Sequence, residues 1–158
     1  MVVKWLTYPS RQELPLLAES AQATLKDIGI EVDINCTADN NSILEDPTAW
    51  DVYAMANVQA PTGDPEYWFT VFATSDATKN SGKYSSAKLD ELEAQLSKEF
   101  DNDKRAELAV QMQQTILDDN AFVFCSFLKM SMISRSNVTG YESHACDYYQ
   151  VTADLDIN

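Results

Sequence analysis

The sequence predicts a single α/β domain, because a strand, an amphipathic helix and a second strand follow one another closely at its start. Residues 2–8 are rich in β-branched and aromatic side chains, which favour a strand. The helix that follows has Pro15 near its first position and Gly29 just past its end, where these residues are common. Two strands joined by a helix form a βαβ unit, whose strands are parallel, as in an α/β layer fold.

Apolar spacing supports each part of this unit. The helix residues that we expect to share one buried face are Leu17, Ala21, Leu25 and Ile28. The apolar residues that alternate with polar ones in the second strand are Ile30, Val32, Ile34 and Cys36. Cys36, and Cys125 further along, lie in apolar runs where an unpaired cysteine is usually a small buried residue.

After the βαβ unit, the sequence predicts further loops, short helices and strands. Polar residues 37–50 predict a loop with a short helix near 42–45, and residues 51–57 predict a third strand. Residues 73–85 predict another loop. Residues 121–127 and 129–134 predict one kinked strand or two, and residues 148–157 predict a last short strand.

Two amphipathic helices are predicted between that loop and the later strands. The first begins at a Ser85 or Ser86 cap, and its apolar positions are Leu89, Leu92, Leu96 and Phe100. The second begins after Asp101 and ends near Asp119, and its apolar positions are Leu108, Met112 and Ile116.

The chain is strongly acidic, and its charge disfavours partners that are themselves negatively charged. Eleven Lys and Arg residues face 25 Asp and Glu residues, a formal net charge of −14. Such a surface repels phosphate backbones and anionic lipid, so we expect no nucleic-acid partner. No apolar run approaches the roughly 20 residues that span a bilayer, so no membrane insertion by this chain is predicted. The acidity is typical of a soluble surface, and attraction of a cationic ligand is the alternative.

Catalytic patterns are scarce, and we predict that the chain is not an enzyme and needs no cofactor. The one histidine, His144, has no local partner, and the four glycines form no phosphate-binding motif. The three cysteines, Cys36, Cys125 and Cys146, have no zinc-site spacing. No catalytic and no metal-ligating residue is therefore predicted.

One segment has the composition of a binding site. The loop at 60–65 reads APTGDP and is followed at once by four aromatic residues, Tyr67, Trp68, Phe69 and Phe72. Aromatic side chains supply much of the contact area in ligand pockets, so they could line one. Trp68 and Phe72 also have the spacing of residues that pack one helix face into the core, and the sequence leaves both interpretations open.

Several motifs in one order resemble the C-terminal lobe of the family 5 extracellular solute-binding proteins, which serve ABC importers of peptides, nickel and opines. They are LTY at 6–8, LAESAQ at 17–22, LKDIGIEV at 25–32, WDVY at 50–53, GDP at 63–65, NSGKYSSAKLDEL at 80–92, DKRAEL at 103–108, QQTILDD at 113–119 and VTGY at 138–141. No single motif is decisive, but their register extends over nearly the whole chain.

The resemblance implies a type II periplasmic-binding-protein-like lobe, with a mixed sheet flanked by helices. Residues 1–158 would then be one lobe of a larger two-lobed protein that closes on its solute like a clamshell. The implied partners are a small solute (a peptide, a nickel chelate or an opine-like molecule), the missing N-terminal lobe and an ABC permease. The implied location is periplasmic or extracellular, with a lipoprotein anchor in the parent protein. A non-catalytic protein-interaction domain with an acidic surface is the alternative function.

The resemblance also places the solute at the loop and the first aromatic residues after it. The expected ligand-binding residues are Gln59, Ala60, Pro61, Thr62, Gly63, Asp64, Tyr67 and Trp68.

Specialised ligand-binding residues of both branches are replaced in this chain. Pro61 stands where peptide-binding members carry the aspartate that pairs with the peptide amine, and Asp64 or Asp76 could take its place. The loop resembles the Ala-Pro-Tyr-Asp-Pro of nickel-binding members, but their metal-reaching histidine falls on Ala77. Gly63 and Gln59 replace the Tyr and Trp of that loop, so a chelate would be held by loop and aromatic contacts.

Overall fold

The computed structural model describes residues 1–129, 131–142 and 151–158, and the chain forms two compact units, Met1–Asn57 and Val58–Asn158. The first unit contains β1 (Val2–Thr7), α1 (Glu13–Lys26), β2 (Glu31–Cys36), α2 (Asn40–Leu44) and β3 (Val52–Tyr53). The described part of the second contains α3 (Glu66–Trp68), a π-helical turn (Phe69–Ala73), α4 (Ala87–Leu96), α5 (Asn102–Asp118), β4 (Val138–Thr139) and β5 (Asp156–Ile157).

The first unit is a three-stranded parallel sheet with β1 in the middle, in the order β2-β1-β3. Val2 pairs with Glu31 and Thr7 with Cys36, so β1 and β2 are in register along their whole length. This confirms the predicted βαβ unit. β3 is shorter than the predicted 51–57 strand, because only two residues of the segment pair with β1.

Helix α1 packs on this sheet through a face that differs slightly from the predicted one. The residues buried at its interface are Leu14 and Ala18, with Leu6 and Val32 buried in the strands. Leu17, Ala21 and Leu25 are only partly buried, and Ile28 is 71% exposed because the helix has already ended. Gly29 makes the predicted left-handed turn at φ +78°, and the Ile30 N–H donates to Leu25 O across it (3.0 Å).

In the second unit, the amphipathic helices α4 and α5 share a buried core with the π-helical turn. Its buried residues are Phe69, Ala73, Leu89, Leu92, Leu96, Ala109, Met112 and Ile116. Each fully buried Leu or Ile side chain stabilises the fold by about 1.5–3 kcal/mol. Phe100, predicted to extend the apolar face of α4, is instead 91% exposed because α4 ends at Leu96.

Both helices begin at the predicted caps. The Ser86 Oγ accepts a hydrogen bond from the Leu89 N–H (3.5 Å), and Asp101 Oδ1 accepts one from the Lys104 N–H (3.0 Å). Between the π-helical turn and α4, the buried Asn80 organises the loop: its amide donates to Thr74 O (3.1 Å) and to Tyr84 O (2.6 Å).

The strands predicted at 121–127 and 129–134 are wrong for the described residues of these segments, which have no regular secondary structure. Their apolar side chains have no strand partner, and several are exposed to solvent: Val123, Phe124, Phe127, Met132 and Ile133. Cys125 and Cys36 are exposed as well, which corrects the prediction that both are buried.

The last described elements, β4 and β5, form an antiparallel pair in which Val138 lies opposite Ile157. β5 falls within the predicted final strand at 148–157, of which residues 148–150 lie outside the described residues. The predictions for His144 and Cys146 also fall outside them. Within the part of the chain that the structure describes, no helix has both the length and the apolar composition needed to cross a bilayer.

Candidate functional site

The predicted ligand-binding loop begins with a tight turn. The Gly63 N–H donates to Ala60 O (3.0 Å), and Gly63 adopts φ +82°, which favours glycine. Pro61 occupies the second position of this turn, where its fixed φ fits. Gln59, Thr62 and Gly63 are exposed, whereas Ala60 and Pro61 are partly buried. The 59–64 loop therefore presents an amide side chain, a hydroxyl and backbone groups to solvent.

Asp64 ends the loop and is held by two partners. Its Oδ1 accepts a hydrogen bond from the Glu66 N–H (2.9 Å), and both carboxylate oxygens accept from Arg105 Nη2 at 2.7 Å. Desolvation raises the pKa of Asp64, but the Glu66 N–H and the Arg105 guanidinium outweigh it and leave the pKa lowered. Asp64 is therefore ionised at neutral pH and already bonded to a cation.

Arg105 bonds to this loop and was not among the residues that the sequence predicted for the site. Nη2 also donates to Glu66 Oε2 (2.7 Å), while Nη1 donates to the main-chain oxygens of Leu96 (2.7 Å) and Glu99 (2.8 Å). One side chain thus joins the loop, the start of α3 and the C-terminal end of α4. A signal was present: Arg105 lies in the first turns of α5, where the helix dipole disfavours a cation unless a carboxylate compensates it.

The aromatic residues after the loop serve mainly as packing. Phe69 and Phe72 are buried in the π-helical turn, which the Thr74 N–H closes by donating to Phe69 O (3.0 Å). Trp68 is partly buried and stacks on Phe72, with ring centroids 6.1 Å apart. The predicted spacing of Trp68 and Phe72 on one packed face is therefore observed.

Two further rings complete this cluster. Phe122 meets the Trp68 ring edge-on at 5.3 Å, and Phe124 lies 5.5 Å from it, so residues of the predicted strand at 121–127 do pack here. Tyr67 is 38% exposed. Of the two aromatic residues predicted to bind the solute, Tyr67 is therefore the more accessible, and Trp68 is partly buried.

The resemblance also singled out Asp76, as the other candidate to replace the lost aspartate, and Ala77, where the metal-reaching histidine falls. Asp76 is exposed and Ala77 is partly buried in the loop before α4. In the described residues, no three His, Cys, Asp or Glu side chains are grouped so that they could hold a metal ion. The groups that the predicted loop exposes are the Gln59 amide, the Thr62 hydroxyl and main-chain groups.

No protein-family model matches the chain. Among curated proteins, the chain is 27% identical over 140 residues to the nickel-binding protein NikA of Staphylococcus aureus, a match that covers 89% of this chain and 28% of NikA. The chain therefore spans less than a third of the length of this relative.

Solved structures show the same likeness. NikA from S. aureus in complex with Ni(L-His)2 aligns with a TM-score of 0.79 at 24% identity, over 100% of this chain and 34% of that one. A nickel ABC transporter protein from Bacillus halodurans aligns with a TM-score of 0.77 at 26% identity, over 99% and 33%. A putative peptide binding protein, AppA from Clostridium difficile, gives a TM-score of 0.67 at 29% identity, over 75% and 25%.

These findings confirm the resemblance that the sequence motifs indicated. The chain is homologous to NikA, and its structural neighbours are nickel- and peptide-binding proteins of the family 5 solute-binding class. Its mixed α/β architecture is the periplasmic-binding-protein-like fold. The relatives are binding proteins of ABC importers, in agreement with the prediction that the chain is not an enzyme.

Proposed function

We propose that this chain is one lobe of the substrate-binding component of a bacterial ABC importer, and that its solute is a nickel chelate. The observation that carries the choice of solute is coverage. The two nickel-transport structures match 99–100% of the chain, whereas the AppA peptide-binding structure matches 75%. The similar curated protein is also nickel-binding.

The chemistry of the 59–64 loop supports a chelate over a bare metal ion. Nickel sites in proteins use imidazole and other nitrogen donors. The loop offers instead the Gln59 amide, the Thr62 hydroxyl and main-chain groups, with the Tyr67 ring beside them. A chelate brings its own metal ligands, so the protein needs only to hold the organic shell by hydrogen bonds and aromatic contact.

The residues proposed to form the solute-binding surface are the eight that the sequence predicted. They are Gln59, Ala60, Pro61, Thr62, Gly63, Asp64, Tyr67 and Trp68. The exposed members, Gln59, Thr62, Gly63 and Tyr67, touch the solute directly, and the partly buried ones shape the surface beneath them.

The chain acts as part of a larger, two-lobed protein. Residues 1–158 form one lobe, and a second lobe closes over the solute by hinge motion. The loaded protein delivers its cargo to an ABC permease and works in the periplasm or outside the cell, held to the membrane by a lipid anchor.

The test is ligand binding by the protein at its full natural length. Native mass spectrometry after gentle purification identifies a co-purified solute, and calorimetry then compares Ni(L-His)2, NiCl2, L-histidine and a mixture of tripeptides. We expect Ni(L-His)2 to bind with a Kd of about 1 μM or tighter, roughly −8 kcal/mol. NiCl2 alone, histidine alone and tripeptides should bind at least about a hundredfold more weakly.

A matched pair of variants tests the location of the site. Gln59→Ala removes an exposed amide from the loop and should weaken chelate binding by about two- to tenfold, the effect of one neutral hydrogen bond. Gln113→Ala removes an exposed amide from α5 and should leave the Kd unchanged.

Other outcomes would redirect the proposal. Preferential binding of tripeptides would replace the nickel chelate by a peptide as the solute, in line with the AppA likeness. A full-length protein that carries no solute and binds none of these probes would contradict import and favour a protein-interaction domain.

A further inference from the structure

The Arg105 side chain has an unusual density of contacts for a residue on a helix surface. Its guanidinium is only 14% exposed and donates to two carboxylates and two main-chain oxygens. The carboxylate of Asp64 is 42% exposed, so its ion pair lies at the boundary between solvent and interior. Such a pair is stronger than a fully exposed one because its charge-assisted contacts are short, with Nη2 2.7 Å from both Asp64 oxygens, and the arginine side chain is largely shielded from solvent.

Comparison with the neighbouring Lys104 shows that these contacts belong to the Arg105 side chain and are not general to cations at the start of α5. Lys104 carries the same charge one residue earlier, but its Nζ is 4.0 Å from Glu99 and its side chain is 66% exposed. Exposed pairs of that kind contribute little. Of these two cationic side chains, Arg105 is the one that contacts the loop, through Asp64.

We propose that Arg105 is a positioning residue for the solute loop, and that by occupying Asp64 it removes the loop's one carboxylate from solute recognition. This inference rests on the proposed function and deepens it. Asp64 then does not replace the amine-binding aspartate whose place Pro61 has taken. It anchors the loop, and the surface offered to the solute is neutral.

The consequence is a preference for solutes without an exposed ammonium group. An amine that coordinates a metal uses its lone pair and carries no proton, so a metal chelate of an amino acid needs no carboxylate partner. A peptide's terminal ammonium does need one, because a desolvated charge without a partner is costly. The occupied Asp64 therefore favours the chelate.

Three variants of the full-length protein test this inference. Arg105→Gln removes the guanidinium, Asp64→Asn keeps an acceptor for the Glu66 N–H but loses the ion pair, and the double variant combines them. Lys104→Gln is the matched control, because it removes an equal charge from the same turn of α5. Arg105→Lys serves where Arg105→Gln does not fold, since lysine keeps the charge but not the fork of donors.

Two measurements separate positioning from direct solute contact. The first is hydrogen exchange of the Gly63 amide, which should become about tenfold faster in Arg105→Gln and in Asp64→Asn, the effect of losing one charged hydrogen bond. The second is the Kd for Ni(L-His)2, which should weaken by a similar factor in both. The double variant should be no worse than either single variant, and Lys104→Gln should change neither measurement.

The inference is overturned if Asp64→Asn weakens binding while Gly63 exchange stays unchanged and Arg105→Gln binds normally, because Asp64 would then contact the solute itself. It is also overturned if Lys104→Gln and Arg105→Gln behave alike. If no solute binds to the wild-type protein, the proposed function fails on that result, and hydrogen exchange of Gly63 alone still decides whether Arg105 positions the loop.

Discussion

At the scale of single residues, backbone freedom and one guanidinium determine the shape of the 59–64 loop. Gly63 sits at φ +82°, in the left-handed region, with open space where a Cβ would be. A side chain at this position would meet no neighbour, so any cost of adding one comes from the backbone conformation. Glycine is needed here for its conformation and not for its size.

Replacing Gly63 by alanine tests this directly. A left-handed conformation costs a residue with a Cβ about 1 kcal/mol, so Gly63→Ala should lower the free energy of unfolding by about that amount. Gly82→Ala is the control, because Gly82 is not in the left-handed region and also has open space around it. Urea unfolding should show no loss for Gly82→Ala. Equal losses in both variants would show that the turn conformation is not the cause.

At the scale of elements, the sequence predicted helices better than strands. The starts of α4 and α5 follow from Ser86 and Asp101, whose side chains cap the helix locally, so a short window of sequence contains the information. The strand-like run at 121–127 has the right composition but no strand partner, and pairing depends on residues far away in sequence. The exposed Cys125 is a consequence of that missing partner.

In the candidate site as well, local features could be predicted from the sequence and long-range contacts could not. The loop at 59–64 could be predicted because turn residues are local features, whereas the sequence left open whether Phe72 packs in the core or lines a pocket. The bond between Asp64 and Arg105 could not, since it joins residues 41 positions apart. The first-turn arginine indicated that a carboxylate was needed but not which one.

Helix α4 also carries an unfavourable acidic face. Burial raises the pKa of Glu93, as do Glu66, Asp76 and Asp90, while Lys98 opposes them weakly. A carboxyl whose pKa is raised in the folded state destabilises the fold once it ionises. This destabilisation is absent at a pH below 4.5, the ordinary pKa of a glutamate side chain. It is fully present at a pH above the raised pKa of the folded state.

Glu93→Gln should therefore stabilise the protein at neutral pH. The expected gain in the free energy of unfolding is about 0.5 kcal/mol or less, as for removal of one like-charge pair on a helix. The gain should shrink as the pH falls through the raised pKa and vanish below about pH 4. Thermal unfolding at pH 7 and pH 4 measures it, with Glu91→Gln on the exposed face of α4 as control. A gain that persists at pH 4 would point to packing and not to charge.

At the scale of the whole molecule, the excess of 25 acidic over 11 basic residues opposes folding through self-repulsion. A few ion pairs stabilise the fold, above all those of Arg105 with Asp64 and Glu66. Salt screens both effects. A partly exposed ion pair contributes about 1 kcal/mol at most, so the repulsion summed over many acidic residues should dominate the response to salt.

Raising NaCl from about 20 mM to about 500 mM shortens the screening length from about 20 Å to about 4 Å, and should therefore stabilise the protein at neutral pH. A gain of about 1 kcal/mol corresponds to a rise in Tm of about 3 °C for a chain of this size. The same salt series at pH 4.2, the isoelectric point, is the control, because the net repulsion is absent there. KCl should act like NaCl, since screening depends on ionic strength. A Tm that falls with salt at neutral pH would contradict this prediction. It would mean that the ion pairs of Arg105 stabilise the fold by more than the summed repulsion of the acidic surface destabilises it.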